Sequence, residues 1–325
     1  MKSEATDVPA LTAMLGSCPL CGSAASLPFT REAEPHRVLV CAACGFGRTA
    51  PQPPDAILAS LYRGEYTSVD ARKFGGPIEA VRRFFVRALA RRIARRCGGH
   101  GRVLDVGCGD GKLLVALETY GFAGTGVELN ERVDERLPPD SNIRIHVGPL
   151  TEAALPAASF RVVVLRHVLE HLRDPLATLR EIRRVIEPGG TLVIAVPNLA
   201  SWQARLGRDR WFHLDLPRHL FHFTPASLTL ALERAGFAIA RVSHFQLEQN
   251  PYGWLQTAFN RAGGRWGALY YQIRARGSAH AQPPRPIVIA AATALMPACV
   301  ALATIESMLG AGGAIEVWAR PRPFV

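Results

Sequence analysis

The sequence predicts an α/β protein built on a doubly wound parallel sheet, and two observations support this prediction. An apolar run at residues 103–106 leads into a glycine-rich turn at 107–111, and residues 112–116 then favour a helix. Strand, glycine turn and helix in this order form the first unit of such sheets, whose nucleotide sites lie at that turn. About twenty residues later, a second strand ends at Glu128, where these folds place a carboxylate that binds ribose hydroxyls.

The glycine turn favours a cofactor that carries a positive charge and no phosphate. Its spacing is G-x-G-x-G rather than G-x-G-x-x-G, and Asp105 and Asp110 lie beside the glycines. Two carboxylates repel a pyrophosphate and attract a cation. This stretch resembles motif I of the class I S-adenosylmethionine (SAM)-dependent methyltransferases, and Glu128 resembles their motif II acid. The resemblance implies a Rossmann-like seven-stranded methyltransferase sheet with SAM as its cofactor.

The resemblance also implies which residues bind SAM. Asp105, Gly107 and Gly109 are expected to contact the methionine moiety, and Glu128 is expected to contact the ribose. Where the family commonly has an acid near the adenine, this chain has Pro149, so we expect the backbone to supply any contact there. The remaining candidates for cofactor binding are Cys108, Gly111, Leu150 and Arg166.

Residues 166–171, Arg-His-Val-Leu-Glu-His, have two interpretations. The letters match H-x-x-E-H, the inverted zinc-peptidase motif, but that motif belongs inside a long helix and this segment directly follows a predicted strand. The same letters resemble the segment after strand four in many small-molecule methyltransferases. That resemblance implies that His167 faces the reaction centre as a candidate catalytic residue, while Glu170 and His171 support the turn.

Histidines and aromatic residues are dense at residues 211–223, which we call the lid because they should cover the carboxyl ends of the strands. A neutral histidine accepts a hydroxyl proton near pH 7. His219 is therefore the candidate catalytic base. The alternative is that the aromatic residues pack the lid and that His219 and His222 satisfy backbone groups.

Two C-x-x-C pairs near the N-terminus predict a metal site. Its four candidate ligands are Cys18, Cys21, Cys41 and Cys44. Four thiolates at this spacing form a tetrahedral Zn²⁺ site, and because no coordination position stays open, we expect a structural ion. The sequence thus predicts a zinc ribbon with an N-terminal tail at 1–50, a linker at 51–77 and a methyltransferase domain at 78–325.

The charge of the chain favours an anionic partner. The formal net charge is +11 at pH 7, which suits either a nucleic acid or an anionic membrane surface, although an arginine-rich chain has such a charge without any specific partner. Arginines flank the apolar stripe of a predicted helix at 78–97. Residues 1–15 do not resemble a secretory signal peptide, so we expect a cytoplasmic protein whose cysteines are metal ligands or thiols.

Residues 246–313 are expected to form an apolar helical insertion between strands six and seven, which are antiparallel neighbours in this fold. Residues 286–305 carry no charge and are long enough to span a bilayer. Because both ends must return to one sheet and Pro297 divides the run into halves of about ten residues, we predict a peripheral or monotopic hairpin on the inner face of the cell membrane. The alternative is a helical pair that covers a substrate channel or a dimer interface.

These features together predict SAM-dependent methyl transfer to a small or lipid-linked acceptor, with a hydroxyl as the methylated group. One alternative is a ribosomal RNA methyltransferase that uses the zinc ribbon, although nucleic acid is the less favoured partner. Another is a module that binds only SAM or a partner. The sequence does not identify the acceptor or the oligomeric state.

Overall fold

A computed structural model describes residues 8–30, 35–66, 76–129, 137–263, 267–273 and 285–323. Ten α-helices lie within the described residues: α1 Val8–Leu15, α2 Asp55–Tyr66, α3 Gly76–Cys97, α4 Lys112–Glu118, α5 Pro175–Val185, α6 Trp202–Gly207, α7 Pro225–Arg234, α8 Asn250–Arg261, α9 Ala268–Ile273 and α10 Pro286–Met308. The strands of the same segments are β1 Ser26–Pro28, β2 Arg37–Cys41, β3 Gly47–Ala50, β4 Gly101–Val106, β5 Phe122–Glu128, β6 Arg144–Val147, β7 Phe160–Arg166, β8 Ile186–Pro197, β9 Phe221–His222, β10 Phe237–Ser243 and β11 Ala314–Pro321. Part of the predicted linker, residues 67–75, lies outside the described residues.

The central sheet has seven strands in the order β10-β11-β8-β7-β4-β5-β6. All neighbouring pairs are parallel except those of β11, which runs antiparallel to both β8 and β10. The predicted fold class is therefore confirmed. Because β4, β5 and β7 are parallel neighbours, the residues that follow them meet at one edge of the sheet.

The core consists of two layers, one on each face of this sheet. Val162 and Val164 face α3 and α4, whereas Val163 and Leu165 face α5 and α7. All four side chains are completely buried. A strand buried on both faces needs apolar residues at successive positions rather than at alternate ones, which explains the unbroken apolar run in β7.

The N-terminal segment packs against the lid. The strands β1, β2 and β3 form a small antiparallel sheet, and β9 from the lid adds a fourth strand beside β3. Phe46 stacks on Phe221 with ring centroids 5.3 Å apart and contacts Phe223 at 5.1 Å. The N–H of Thr49 donates to the carbonyl of Leu220 at 3.0 Å. The lid is therefore held between the central sheet and the N-terminal sheet.

Among the described residues between β10 and β11 there are three helices, α8, α9 and α10. The prediction that Pro297 divides the apolar run into two pieces is wrong, because α10 continues from Pro286 to Met308. Ala292, Cys299 and Ala303 are buried on both sides of the proline, so one face of the helix is docked along its length. Pro297 itself is exposed, and the hydrogen bond that a proline removes is better tolerated where water reaches the backbone.

Candidate functional site

The glycine turn after β4 adopts a conformation that only glycine adopts readily. Gly107, Gly109 and Gly111 have φ angles of +72°, +60° and +68°, in the left-handed region where a side chain costs free energy. A Cβ on Gly107 would lie 2.3 Å from Cγ2 of Val168. The N–H of Gly107 donates to the carbonyl of Val127 at 2.7 Å, which fixes the turn against the end of β5.

Two carboxylates lie at this edge of the sheet. Glu128 ends β5, and its Oε2 accepts a hydrogen bond from the N–H of Gly109 at 2.8 Å, while its Oε1 accepts one from the N–H of Leu129 at 2.8 Å. Asp105 is 6% exposed near the end of β4, and burial raises the pKa of its carboxyl to about 7 against the opposing charge of Arg166. The sheet therefore brings the two predicted acids to the same turn.

Two other predicted cofactor residues have side chains that point into the protein. Cys108 is buried, and a Cβ on Gly126 would lie 2.6 Å from its sulfur, so a residue without a side chain makes room for it. Leu150 starts a short 3₁₀ turn, and its side chain belongs to the main core. At both positions only the backbone remains available to a cofactor.

Ion pairs join the glycine turn to the neighbouring elements. Asp110 accepts from Nζ of Lys112 at 2.7 Å and pairs with Arg82 of α3 at 3.4 Å. Arg166, at the end of β7, pairs with Glu248 at 3.2 Å. Arg82 and Glu248 also line a large cavity, so these ion pairs connect the glycine turn to the wall of that cavity.

A cavity of about 910 Å³ adjoins the carboxyl ends of β7 and β8. Its walls come from α3, the 167–171 turn, the lid, α8, α9 and α10. Apolar side chains form most of the wall on the side of the helices, and they are Ile78, Val81, Phe85, Leu255, Leu269, Ile289, Met296 and Val300. Histidines and acids from the 167–171 turn and the lid form another part of the wall, and they are His167, Glu170, His171, His213, Asp215 and His219.

The two candidate catalytic histidines both line this cavity. His167 has a φ of +54° and directly follows β7, and its N–H donates to the carbonyl of Ala195 at 2.8 Å. His219 comes from the lid, and its Nδ1 lies 2.9 Å from the carbonyl oxygen of His213. Burial lowers the pKa of His167 to about 4 and that of His219 well below its usual value. Both rings are therefore neutral at pH 7.

His222 has a structural environment. Its Nε2 lies 3.1 Å from Oγ1 of Thr49 in β3, and burial lowers the pKa of the ring to about 3. The same Thr49 hydroxyl donates to the carbonyl of His219 at 2.6 Å. His222 therefore connects the lid to the N-terminal sheet, and its contact is with a side-chain hydroxyl rather than with the backbone group that the sequence alternative expected.

Glu170 and His171 do more than support a turn. Glu170 is 1% exposed and faces the cavity, and burial raises the pKa of its carboxyl to about 7. The rings of His171 and His219 meet edge to face with centroids 4.5 Å apart. The sequence placed these two residues on the turn and missed their position in the cavity, although the H-x-x-E-H string was a signal for it.

The four predicted cysteine ligands lie together. Their four sulfur atoms all lie within 4.8 Å of one another, and they belong to Cys18, Cys21, Cys41 and Cys44. Gly22 and Gly45 have positive φ angles of +78° and +73°, and the N–H of each donates to the carbonyl of the first cysteine of its pair. Burial raises the pKa of the Cys41 thiol, but hydrogen bonds from the N–H groups of Cys44 and Ala43 outweigh it and lower this pKa to about 6. Four converging sulfurs with a stabilised thiolate fit a tetrahedral Zn²⁺ ion.

Comparison with known proteins identifies the family of the central domain. The family model described as a methyltransferase domain matches residues 78–242, just over half of the 325 residues. A Mycolicibacterium smegmatis protein assigned as an S-adenosylmethionine-dependent methyltransferase is 35% identical over 152 residues, which are 46% of this chain and 56% of that protein. A ubiquinone biosynthesis O-methyltransferase of Xanthomonas axonopodis pv. citri is 32% identical over 154 residues, 44% of this chain and 64% of that protein.

The chain thus spans less than two thirds of the length of these two relatives. Among solved structures, one from Galdieria sulphuraria assigned as a sarcosine dimethylglycine methyltransferase aligns with 83% of this chain and all of its own. The TM-score is 0.50 at 12% sequence identity. At that identity the likeness concerns the fold alone.

Proposed function

The chain belongs to the class I SAM-dependent methyltransferase family, and on that premise we propose that it transfers a methyl group from SAM to a hydroxyl of an amphipathic acceptor. The observation that carries this proposal is the cavity beside the glycine turn, which is apolar on its helical side and lined by histidines and acids at the ends of the strands. Such a cavity suits a ligand with a long apolar part and a polar group to be methylated.

The residues of the glycine turn would hold the cofactor. Bound SAM supplies an electrophilic methyl group. Glu128 is fixed by two backbone N–H groups and can accept hydrogen bonds from ribose hydroxyls. The buried carboxyl of Asp105 would accept a hydrogen bond from the amino group of the methionine moiety, and Gly107 and Gly109 let the backbone approach the cofactor. Much of the catalysis would be positioning, because the cofactor already has a good leaving group.

We assign proton transfer from the acceptor to His167. Its Nε2 is buried and has no hydrogen-bond partner among the described residues, and its ring lines the cavity next to the strand end that adjoins the turn. His219, the other candidate base, lies deeper against Glu170 and His171. The name of the Xanthomonas relative, which combines ubiquinone biosynthesis with O-methyl transfer, supports a hydroxyl as the methylated group.

The acceptor would reach the cavity from a membrane surface. α10 has the length and composition of a membrane-crossing helix, with a mean hydropathy of 2.2, and only 17% of that stretch is buried in the protein. Its last turns expose large apolar side chains, among them Ile305 at 48% and Met308 at 71%. Its opposite face lines the cavity through Ile289, Met296 and Val300. We propose that the helix lies on the anionic inner face of the cell membrane.

The end of α10 argues against a simple span. Glu306 is completely buried, and its Oε1 accepts from Nε2 of Gln203 at 2.6 Å and from the N–H of Gly313 at 3.1 Å. Both ends of α8–α10 also return to the central sheet. A groove lined by Arg87, Arg91 and Arg95 of α3 adds a positive surface for anionic headgroups.

The cluster of Cys18, Cys21, Cys41 and Cys44 would bind a structural Zn²⁺ ion.

Methyl-labelled SAM tests the proposal. The full-length chain is incubated with labelled SAM and either bacterial lipid extract or total RNA, and the products are identified by mass spectrometry. We expect label in lipids that gain one methyl group, and a His167→Asn variant that binds SAM normally but turns over about 100-fold more slowly. Label in RNA would favour the ribosomal RNA alternative, and SAM binding without labelled product would favour a binding module. Either result would contradict the proposal.

A further inference from the structure

Three side chains with metal-binding atoms meet at the floor of the cavity. Glu170 and His171 lie in the short turn after β7, and His219 comes from the lid, almost fifty residues further along the chain. One candidate ligand atom from each lies within 4.8 Å of the other two. The N–H of Leu220 donates to the carbonyl of Glu170 at 2.8 Å, and this backbone contact holds the lid residue against the turn.

Both histidine rings are oriented by backbone carbonyls. Nδ1 of His219 lies 2.9 Å from the carbonyl of His213, and Nδ1 of His171 lies 3.1 Å from the carbonyl of Arg218. A carbonyl oxygen only accepts, so each ring carries its proton on Nδ1 and its lone pair on Nε2. Proteins orient metal-binding histidines in this way, with the second ring nitrogen donating to a carbonyl or carboxylate.

Glu170 supplies the strongest indication of a bound cation. Its side chain is 1% exposed, and neither carboxylate oxygen has a hydrogen-bond partner among the described residues. The guanidinium of nearby Arg218 is bonded to Asp215 at 2.7 Å, and Nδ1 of His167 is 3.7 Å from Oε1 of Glu170. A buried carboxylate without a partner is unfavourable unless a cation or a proton compensates it.

We propose that Glu170, His171 and His219 bind a divalent transition-metal ion, with Zn²⁺ or Co²⁺ as suitable occupants. Two imidazoles and a carboxylate are the donor set of open zinc sites, in which three protein ligands leave at least one position for another molecule. All three residues line the cavity, so the open position faces it. If the proposed function holds, that position takes the hydroxyl oxygen of the acceptor; the metal site itself does not depend on that function.

This site uses the H-x-x-E-H string differently from a zinc peptidase. The ligands from the string are its Glu170 and second histidine, His171, rather than its two histidines, and the third ligand is His219 from the lid. His167 is not part of the cluster: its Nδ1 lies 3.7 Å from Oε1 of Glu170, and its Nε2 remains available to the acceptor. The lid therefore completes the site, which no local motif predicts.

Binding of Co²⁺ alone tests the site in the full-length chain with Zn²⁺ already in the cysteine cluster. Cobalt bound by thiolates gives intense ligand-to-metal charge-transfer bands, so their absence identifies a nitrogen and oxygen site. We expect one Co²⁺ per chain without those bands. Glu170→Gln and His219→Ala should each weaken its binding at least about 100-fold, since even residues that only orient metal ligands contribute 10- to 100-fold.

His222→Gln is the matched control, because His222 is also a buried lid histidine but does not belong to the cluster. We expect it to bind Co²⁺ like the unchanged chain. SAM binding and thermal unfolding of each variant show whether it is folded. The proposal would be overturned if folded Glu170→Gln bound Co²⁺ as tightly as the unchanged chain. It would also be overturned if every bound Co²⁺ showed the thiolate charge-transfer bands. Neither readout involves methyl transfer, so failure of the proposed function would leave this test intact.

Discussion

The proposed cofactor end and the proposed acceptor end of the site are built in different ways. The cofactor end consists of the glycine turn and the ends of β4 and β5, which all lie between residues 105 and 128 and are held by backbone hydrogen bonds. The acceptor end takes side chains from α3, the 167–171 turn, the lid and the helices between β10 and β11. A short sequence motif is therefore enough to specify the cofactor end. The shape and chemistry of the acceptor end depend instead on every element that contributes a side chain to it.

The largest expected effect concerns α10, at the acceptor end. The triple variant Leu302→Ser, Ile305→Ser and Met308→Ser removes side chains that are 41%, 48% and 71% exposed. At about 1.5 kcal/mol for each apolar side chain transferred to lipid, membrane binding should weaken by about 4.5 kcal/mol, or roughly 2,000-fold. Flotation with phosphatidylglycerol-containing liposomes measures this, and SAM affinity should stay unchanged.

The control for this variant removes exposed apolar residues elsewhere. Leu27→Ser and Ile57→Ser together change side chains that are 62% and 48% exposed in the N-terminal half. We expect this double variant to float with the liposomes as the unchanged chain does. Equal flotation of the triple variant would show that α10 covers the cavity or a protein interface instead of contacting lipid.

A smaller effect is expected at the cofactor end, where Gly107 and Gly109 form a matched pair. Both have a positive φ, but a Cβ on Gly107 would lie 2.3 Å from Val168, whereas a Cβ on Gly109 would meet no heavy atom within 4 Å. Gly109→Ala should therefore cost about 1 kcal/mol of unfolding free energy from backbone strain alone. Gly107→Ala should cost about 2–3 kcal/mol, because the overlap adds to the same strain.

Chemical denaturation in the absence of SAM measures both glycine variants. A cofactor is left out because its own contacts would add to the difference between the two positions. If both alanine variants unfold at the same denaturant concentration, the packing of Val168 against the turn does not fix its shape. Calorimetry with SAM then reports whether either change also weakens cofactor binding.

The smallest effect is expected for Thr49 in the N-terminal sheet, which contacts the lid at the acceptor end and not the cofactor end. The hydroxyl of Thr49 donates to the carbonyl of His219 and lies 3.1 Å from Nε2 of His222. Thr49→Val removes both contacts and should cost about 1 kcal/mol. Because the lid lines the cavity but not the glycine turn, we expect a higher KM for the acceptor and an unchanged Kd for SAM. A change in the Kd for SAM alone would mean that the two ends are not independent.

The sequence predicted the central sheet well because its signals are local. Continuous apolar runs, the glycine turn and the acid at Glu128 each depend on residues adjacent in the chain. The family that they resemble also implies that the last two strands are antiparallel neighbours, as the structure shows. The cysteine pairs also predicted their own convergence, since C-x-x-C spacing and the following glycines are local features. The prediction failed at Pro297, where tertiary packing of Ala292 and Ala303 outweighs the helix-breaking tendency of proline.

The acceptor end could not be predicted in the same way. The sequence singled out His167 and His219 as chemistry-bearing residues, but it did not place Arg82, Glu248 or Tyr252 in the same cavity. Arg82 is one of many arginines along α3, and only its position beside Asp110 distinguishes it. Nothing in the local sequence marks such a residue.

The sequence by itself determined the family, the cofactor turn and the cysteine cluster, because the residues of each act through neighbours close in the chain. Only the tertiary structure decided that the N-terminal sheet holds the lid, that α10 is one continuous helix, and that Glu170 meets His219. Those outcomes depend on packing between distant segments. The free energy of such packing comes from surfaces that exist only after the central sheet has formed.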